Sequence, residues 1–446
     1  MFVKQTIVKR LLFPICAAFA FMLAVPGANA QTAREEINAN PALAASNHLA
    51  YITPTKKLSP APKGYTPFYI SHYGRHGSRW LIEPEQYLGP VETLRKADSL
   101  GVLTTYGKDV LSRLEKVSAA AAGRYGELTP LGHRQHRGIA ERMYSNFQPV
   151  FKGSTRVEAR SSTVIRCILS MTAETQRLAE LNPQLDICTD ASEGDMKYIN
   201  TPDNWRPRAY AFRAGGMSET EKFNRNHIHP ERLMGALFTN PSYLDRRKAT
   251  SFMDDLWAVA TNQQSLDMDF DFEDLFTMDE KYDLWQCQNV KWYNEFGPSK
   301  LTKEMMPYFQ APLLQNILDT ADSCIVSKNN NVSLRFGHEV VILPLACLME
   351  LGNSGALVDD MEDLDENWKN YEIYPMGANI QLIFYRSKKA NQPVLVKALL
   401  NEKEVTLPVE TSMFPYYSWD KVEGYYRGKL ANYEKYLKNI ETPNNR

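Results

Sequence analysis

A short polar segment near residue 75 combines two arginines, a histidine and two glycines. It reads Gly74-Arg75-His76-Gly77-Ser78-Arg79 and follows an apolar, aromatic run at residues 68–70. Arginine guanidiniums present forked donors that match phosphate oxygens, and they keep their charge. Glycines let the backbone approach a ligand closely. A neutral imidazole in this setting could attack phosphorus, so that hydrolysis proceeds by transfer to the protein and then to water. The same pattern also suits a surface loop with two solvated arginines.

Three further polar segments follow along the chain. They are Leu128-Thr129-Pro130-Leu131-Gly132-His133-Arg134-Gln135, then Arg160-Ser161-Ser162 with Arg166-Cys167, and finally His338-Glu339. With the first segment, they resemble in the same order the motifs of the histidine acid phosphatases. Those motifs are Arg-His-Gly-x-Arg, Leu-Thr-x-x-Gly-x-x-Gln, the segment of a third phosphate-binding arginine, and a second histidine followed by a proton donor. The resemblance covers residues 70–180 and 330–385.

The resemblance implies a role for each matching residue. His76 would be the nucleophile. Arg75, Arg79 and Arg160 would bind phosphate, assisted by His338. The resemblance implies no metal ion and no other cofactor, so activity is expected to survive a chelator.

Glu339 would protonate the leaving group, because an alkoxide is a poor leaving group. Most members of the family have His-Asp at this site, and the multiple inositol polyphosphate phosphatase branch has His-Ala-Glu, whereas this chain has His338-Glu339-Val340. Leu81 stands where the family usually has proline. The segments at residues 334–338 and 378–381 are similar to segments of the inositol polyphosphate branch. The expected function is therefore hydrolysis of phosphate monoesters through a phosphohistidine, with phytate or a related inositol phosphate as the substrate.

Two other functions remain compatible with the sequence. One is a broad-specificity acid phosphatase or a sugar phosphatase, which would use the same histidine chemistry on other esters. The other is a protein that binds phosphorylated ligands without turning them over, because the arrangement His338-Glu339-Val340 differs from that of either branch.

The candidate residues lie where strands should give way to loops and helices. Strand patterns occur at residues 68–70, 156–160 and 332–336, and helices are predicted at about 163–181 and 340–351. This alternation predicts an α/β fold with a largely parallel sheet flanked by helices. Chemistry in such folds gathers at the carboxyl ends of the strands.

The sequence also suggests a division of the chain. Residues 65–189 plus 328–446 are predicted to form the α/β core, and residues 190–327 a mostly helical cap inserted into it. Residues 31–64 are polar and contain several prolines, which predicts a lead-in segment lying across the surface.

The first thirty residues have the features of a signal peptide. A basic start at Lys4, Lys9 and Arg10 precedes an apolar run, and Ala28-Asn29-Ala30 offers a small-x-small cleavage site. The protein is therefore expected to be exported, and to be periplasmic or secreted after cleavage near Ala30. The apolar run is too short for a comfortable membrane span.

The net charge and the composition limit the classes of molecule that the protein is expected to bind. The formal net charge of -1 gives no general attraction to nucleic acid or to an anionic membrane, so any anion site must be built locally. The resemblance implies a small phosphorylated molecule as the partner. His227-Ile228-His229 and the acidic residues 267–271 lack the spacing of a zinc or calcium motif. The sequence leaves open the oligomeric state, as well as disulfide pairing among Cys167, Cys188, Cys287, Cys324 and Cys347.

Overall fold

The computed structural model describes residues 31–200, 206–327, 329 and 331–441. The predicted signal peptide, residues 1–30, lies outside these residues. The strands are β1 Tyr65–Arg75, β2 Arg156–Ser161, β3 Asp186–Asp190, β4 Asn331–Gly337, β5 Asn379–Ser387, β6 Leu395–Leu400, β7 Lys403–Val405 and β8 Tyr417–Ser418. The helices are α1 Ala33–Ala39, α2 Glu85–Ser99, α3 Thr105–Ala121, α4 Pro130–Asn146, α5 Ile165–Leu181, α6 Glu193–Ile199, α7 Arg206–His227, α8 Glu231–Leu237, α9 Arg246–Asn262, α10 Met278–Phe296, α11 Ala311–Ser327, α12 Glu339–Leu348, α13 Leu364–Asn367, α14 Asn370–Ile373 and α15 Trp419–Glu441.

The strands form one sheet in the order β3-β2-β4-β1-β5-β6-β7, with β8 paired to β6. The strands from β3 to β1 run parallel to one another, whereas β5 to β8 add antiparallel pairs on the other side of β1. The predicted α/β fold is confirmed, and the parallel half of the sheet contains the three strands that the sequence indicated.

The register of the parallel strands brings their carboxyl ends to one level. Arg75 at the end of β1 lies opposite Gly337 at the end of β4, and Ser161 of β2 lies opposite Phe336. His76 and His338, which come directly after β1 and β4, therefore emerge at the same edge of the sheet.

Both faces of the sheet are covered by helices. On one face, Ile70, Val157 and Leu334 pack with Met143 of α4 and Met171 of α5 in a buried apolar cluster. The opposite face belongs to a larger cluster that includes the apolar helix α12. Removing this apolar surface from water is the main stabilising contribution to the fold.

The chain between β3 and β4 is helical. Its described residues form α6 to α11 with short 3-10 helices and contain no strand. The lead-in holds α1 and a 3-10 helix, Pro41–His48. No helix in the described part of the chain has both the length and the apolar character needed to cross a bilayer. The five cysteines in the described part of the chain are all free.

Helix α4 begins as its sequence predicts and is pressed against the segment after β1. Thr129 caps the helix, with its Oγ1 accepting a hydrogen bond from Gly132 N, and Pro130 occupies the first turn. A Cβ on Gly77 would lie 2.6 Å from Gly132 O, and a Cβ on Gly132 would lie 2.3 Å from Ser78 O. Only glycine permits this approach at either position.

Replacing Gly132 with alanine should therefore destabilise the protein. We expect the free energy of unfolding to fall by about 1–3 kcal/mol, as for other overpacked sites, measured by urea denaturation. Gly424→Ala in α15 is the matched control, because nothing lies within 4 Å of a Cβ there. Alanine favours a helix, so this control should be neutral or stabilising by up to about 1 kcal/mol. Equal stability of Gly132→Ala and wild type would contradict the close packing.

Candidate active site

The segment after β1 is fixed by hydrogen bonds from two helices. Ser78 N donates to Gln135 Oε1 of α4 at 2.8 Å, and Gln135 Nε2 donates back to Ser78 Oγ at 3.0 Å. Gly77 N donates to Ser170 Oγ of α5 at 3.1 Å. Buried backbone groups in a loop need such partners, and here they hold the loop rigid.

The contacts of His76 define which of its ring nitrogens is reactive. Its side chain is fully buried, and Nδ1 lies 3.0 Å from the carbonyl oxygen of Gly77. A carbonyl can only accept, so Nδ1 carries the proton and Nε2 keeps its lone pair. Burial lowers the pKa of His76 well below 6.5, and the charges of Arg166 and Arg75 act in the same direction. A neutral imidazole with a free Nε2 is the state that a nucleophile requires.

Arg75 is anchored by main-chain oxygens from two distant segments. Its Nη1 donates to Tyr374 O at 2.6 Å, and its Nη2 donates to Asn47 O at 2.7 Å. Its Nε lies 3.2 Å from Glu339 Oε2. The guanidinium, which is fully buried, therefore has a fixed orientation beside His76.

Glu339, the first residue of α12, lies against both Arg75 and His76. Its Oε2 is 3.4 Å from His76 Nε2. Burial alone would raise the pKa of Glu339, but the charges of Arg75 and Arg79 hold it well below 4.5. Without a ligand, Glu339 is therefore a carboxylate that rests beside the reactive nitrogen.

His338 is fixed by two side chains from the segment that follows β2. Arg166 Nη2 donates to His338 Nδ1 at 3.4 Å, so the proton of the ring is on Nε2, which lies 3.2 Å from Ser162 Oγ. The rings of His338 and His76 meet edge to face, with centroids 5.6 Å apart. Burial, together with Arg166, lowers the pKa of His338 to about 4.

Arg160 does not join this cluster. It still lies within β2, opposite Arg335 of β4, and its side chain turns to Asp190 and Asp195 at 3.5 and 3.9 Å. It lines a separate cleft beside α6 and α11. The nearby guanidinium is instead that of Arg166, in the first turn of α5 beyond the end of the strand. The sequence predicted Arg160 as a phosphate ligand, but the structure places Arg166 and not Arg160 beside His338.

The structure thus brings together five of the six predicted residues and adds others. The five are Arg75, His76, Arg79, His338 and Glu339. Sequence reasoning assigned no role to Arg166, Gln135 or Ser162, although all three stand in the quoted motifs, and it missed Ser170. Only the motif spacing could have indicated the first two, and no signal pointed to the serines as hydrogen-bond partners.

The charges of the cluster favour an anion over a metal ion. His76, His338 and Glu339 offer ligand atoms within 4.8 Å of one another. However, the charges of Arg75, Arg79 and Arg166 all act on this group, and they would repel a cation. Arg79 Nε is buried without a hydrogen-bond partner among the described residues, and burial lowers the pKa of Arg79 to about 10. A tetrahedral anion would supply that partner.

Comparisons with known proteins agree with this geometry. The family model described as "Histidine phosphatase superfamily (branch 2)" matches residues 75–401. A comparison with curated protein sequences gives no match.

Solved structures share the fold at low sequence identity. The multiple inositol polyphosphate phosphatase of Bifidobacterium longum, in complex with inositol hexasulfate, is 20% identical with a TM-score of 0.71, over 86% of this chain and 97% of that chain. The phytase from D. castellii is 15% identical with a TM-score of 0.67, over 92% and 89%. The Hafnia alvei phytase is 13% identical with a TM-score of 0.52, over 83% and 98%.

The exchange of Arg160 for Arg166 can be tested by anion binding. Arg166→Ala should weaken binding of inorganic phosphate about tenfold to a hundredfold, since a hydrogen bond to a charged group contributes about 1.5–3 kcal/mol. Arg160→Ala should change it less than about threefold, because that side chain points elsewhere. Calorimetric titration with phosphate measures both. A large loss in Arg160→Ala with none in Arg166→Ala would restore the original assignment.

Proposed function

We propose, from the premise that this chain belongs to branch 2 of the histidine phosphatase superfamily, that it transfers a phosphoryl group from a phosphate monoester to His76 Nε2 and then to water. Membership of this superfamily makes the chain a phosphomonoesterase, the enzyme class predicted from the sequence. The observation that carries the assignment of the nucleophile is the hydrogen bond from His76 Nδ1 to Gly77 O, which leaves Nε2 unprotonated among buried arginines.

The first half of the reaction forms a bond from His76 Nε2 to phosphorus and breaks the bond from phosphorus to the ester oxygen. Glu339 delivers a proton to that oxygen, so that an alcohol leaves rather than an alkoxide. A bound phosphate dianion raises the pKa of a neighbouring carboxyl group, which opposes the effect of Arg75. Glu339 would thus take up its proton as the substrate binds.

The second half of the reaction reverses these roles. Water attacks phosphorus, the bond to Nε2 breaks, and Glu339 accepts a proton from the water molecule. Inorganic phosphate leaves, and His76 returns to its neutral state. Arg75, Arg79 and Arg166 would bind the phosphoryl oxygens throughout, because guanidiniums stabilise the charge that develops on them.

We further propose that the substrate is an inositol polyphosphate such as phytate. In support, the Bifidobacterium longum protein of the same fold is a multiple inositol polyphosphate phosphatase, and the other two structural neighbours are phytases. The Glu in His338-Glu339 is also the residue type of that branch. The signal-peptide pattern of residues 1–30 supports the proposal that the enzyme acts after export.

Trapping with labelled substrate tests the nucleophile and the substrate together. We expect rapid quenching with ³²P-phytate to give protein-bound label that survives base and is lost in acid. His76→Ala should form none and should lose at least about a thousandfold in kcat. The exposed His229 provides the control, since His229→Gln should retain both properties. Turnover of p-nitrophenyl phosphate but not of phytate would favour a broad-specificity phosphatase, and phosphate binding without any turnover would indicate a binding protein.

The role of Glu339 can be tested by the choice of leaving group. Glu339→Gln keeps the size of the side chain but cannot deliver a proton, so kcat/KM, which reports only the first half of the reaction, should fall about a hundredfold or more for an alkyl phosphate such as glycerol 2-phosphate. The loss for p-nitrophenyl phosphate should be less than about tenfold, because nitrophenolate leaves without protonation. Steady-state kinetics on both esters decide this. Equal losses on the two would contradict the role as acid.

A further inference from the structure

A second group of ionisable side chains is buried next to residues 76–79, the segment after β1 that carries His76 and is called the catalytic loop below. It consists of His72 on β1, His136 on α4 and Glu174 on α5, and the side chains of all three are fully buried. His136 Nδ1 and Glu174 Oε1 form a hydrogen bond of 2.8 Å, and His72 Nε2 lies 4.0 Å from the same oxygen. None of these residues reaches the reacting atoms described above.

Stability alone does not explain this group. Glu174 Oε2, His136 Nε2 and both ring nitrogens of His72 lack hydrogen-bond partners in the part of the chain that the structure describes. Burying such groups costs free energy, and apolar side chains of similar volume often give an equal or greater stability. The retention of a polar pair here points to a role in positioning.

Both helices that carry the pair also hold the catalytic loop. On α5, Arg166, Ser170 and Glu174 follow at intervals of four residues and so share one face, which contacts in turn His338, Gly77 and His136. On α4, His136 comes directly after Gln135, which binds both the backbone and the side chain of Ser78. The hydrogen bond between His136 and Glu174 therefore joins α4 and α5 close to Gln135 and Ser170, the two residues that bind the loop.

The third residue of the group connects it to β1. A Cβ on Gly74 would lie 2.6 Å from His72 Cε1, so the imidazole packs against the backbone just before Arg75 and His76. Phe336 of β4 packs against the rings of His72 and His136, with centroids at 5.5 and 5.9 Å. A shift of either helix would be transmitted through these contacts to the loop.

We propose that the hydrogen-bonded pair His136–Glu174 is a positioning pair, which sets the spacing of α4 and α5 and thereby the aim of His76 at phosphorus. The inference rests on the proposed role of His76 but not on the proposed substrate. Losing the pair should slow phosphoryl transfer, because a displacement of about 1 Å in a reacting group can cost about a hundredfold in rate. Affinity for the ester should change little, since the arginines remain.

The first test is Glu174→Met, which keeps a side chain of similar volume but removes the oxygen that accepts from His136, assayed on p-nitrophenyl phosphate well below its Tm. We expect kcat and the single-turnover rate of phosphohistidine formation to fall at least about tenfold, with KM within about twofold. Glu180→Met is the matched control, because Glu180 joins the same two helices at the surface through Arg137, 2.7 Å away. The control should keep the wild-type kcat. An unchanged kcat in Glu174→Met would overturn the proposal.

The second test separates positioning from stability. The double variant His136→Leu/Glu174→Met replaces the pair by apolar side chains and should keep or raise Tm while kcat stays at least about tenfold low. Recovery of kcat together with Tm would show a purely structural pair and overturn the proposal. A wild-type enzyme that turns over p-nitrophenyl phosphate without a phosphohistidine would instead refute the proposed chemistry of His76, a distinguishable result.

Discussion

The site depends on burying the carboxylate of Glu339 between Arg75 and His76. A buried carboxylate is costly unless it is paired with a cation, and Oε2 of Glu339 lies 3.2 Å from Arg75 Nε. Arg75 in turn is held by the carbonyl oxygens of Asn47 and Tyr374. The ion pair Arg75–Glu339, together with the hydrogen bonds of Arg75, therefore connects four segments of the chain. These are the lead-in, the end of β1, the start of α12 and the chain before β5. This explains why the lead-in, which has few features of its own in the sequence, belongs to the site.

The sheet makes this convergence possible. β1 and β4 are parallel neighbours that end at the same level, so that the residues following them meet without any long loop. His76 N donates to Gly337 O, which continues the ladder one step beyond the strand. The antiparallel strand β5 closes the other side, where Arg75 N donates to Ala378 O. Both catalytic segments are thus extensions of paired strands, and this limits how far either can move.

Much of the fold was predictable because the strands and helices follow ordinary patterns. The strand before Gly337 and the capped start at Thr129-Pro130 are formed as expected, and the motif order predicted the meeting of His76 with His338. Arg160 lies away from the other predicted residues for a geometric reason. Spacing does not reveal that β2 continues to Ser161, and the alternation of side chains in a strand turns Arg160 toward α6, whereas Arg166 begins a helix that points at the site. The group of His72, His136 and Glu174 could not be predicted either, because His136 and His72 lie 38 and 102 residues before Glu174 in the chain.

The charges of the site explain how a nearly neutral protein can select an anion. Arg75, Arg79 and Arg166 act on one buried carboxylate and two imidazoles that burial keeps neutral, so the local charge is positive although the chain carries -1 overall. Low solvent exposure strengthens the attraction for a dianion, because fewer water molecules screen it. The same burial keeps His76 Nε2 unprotonated. The proposed phosphate binding and the proposed nucleophilic role of His76 would therefore be two consequences of one arrangement, since the desolvation that strengthens the arginines' attraction also prevents the histidine from becoming a cation.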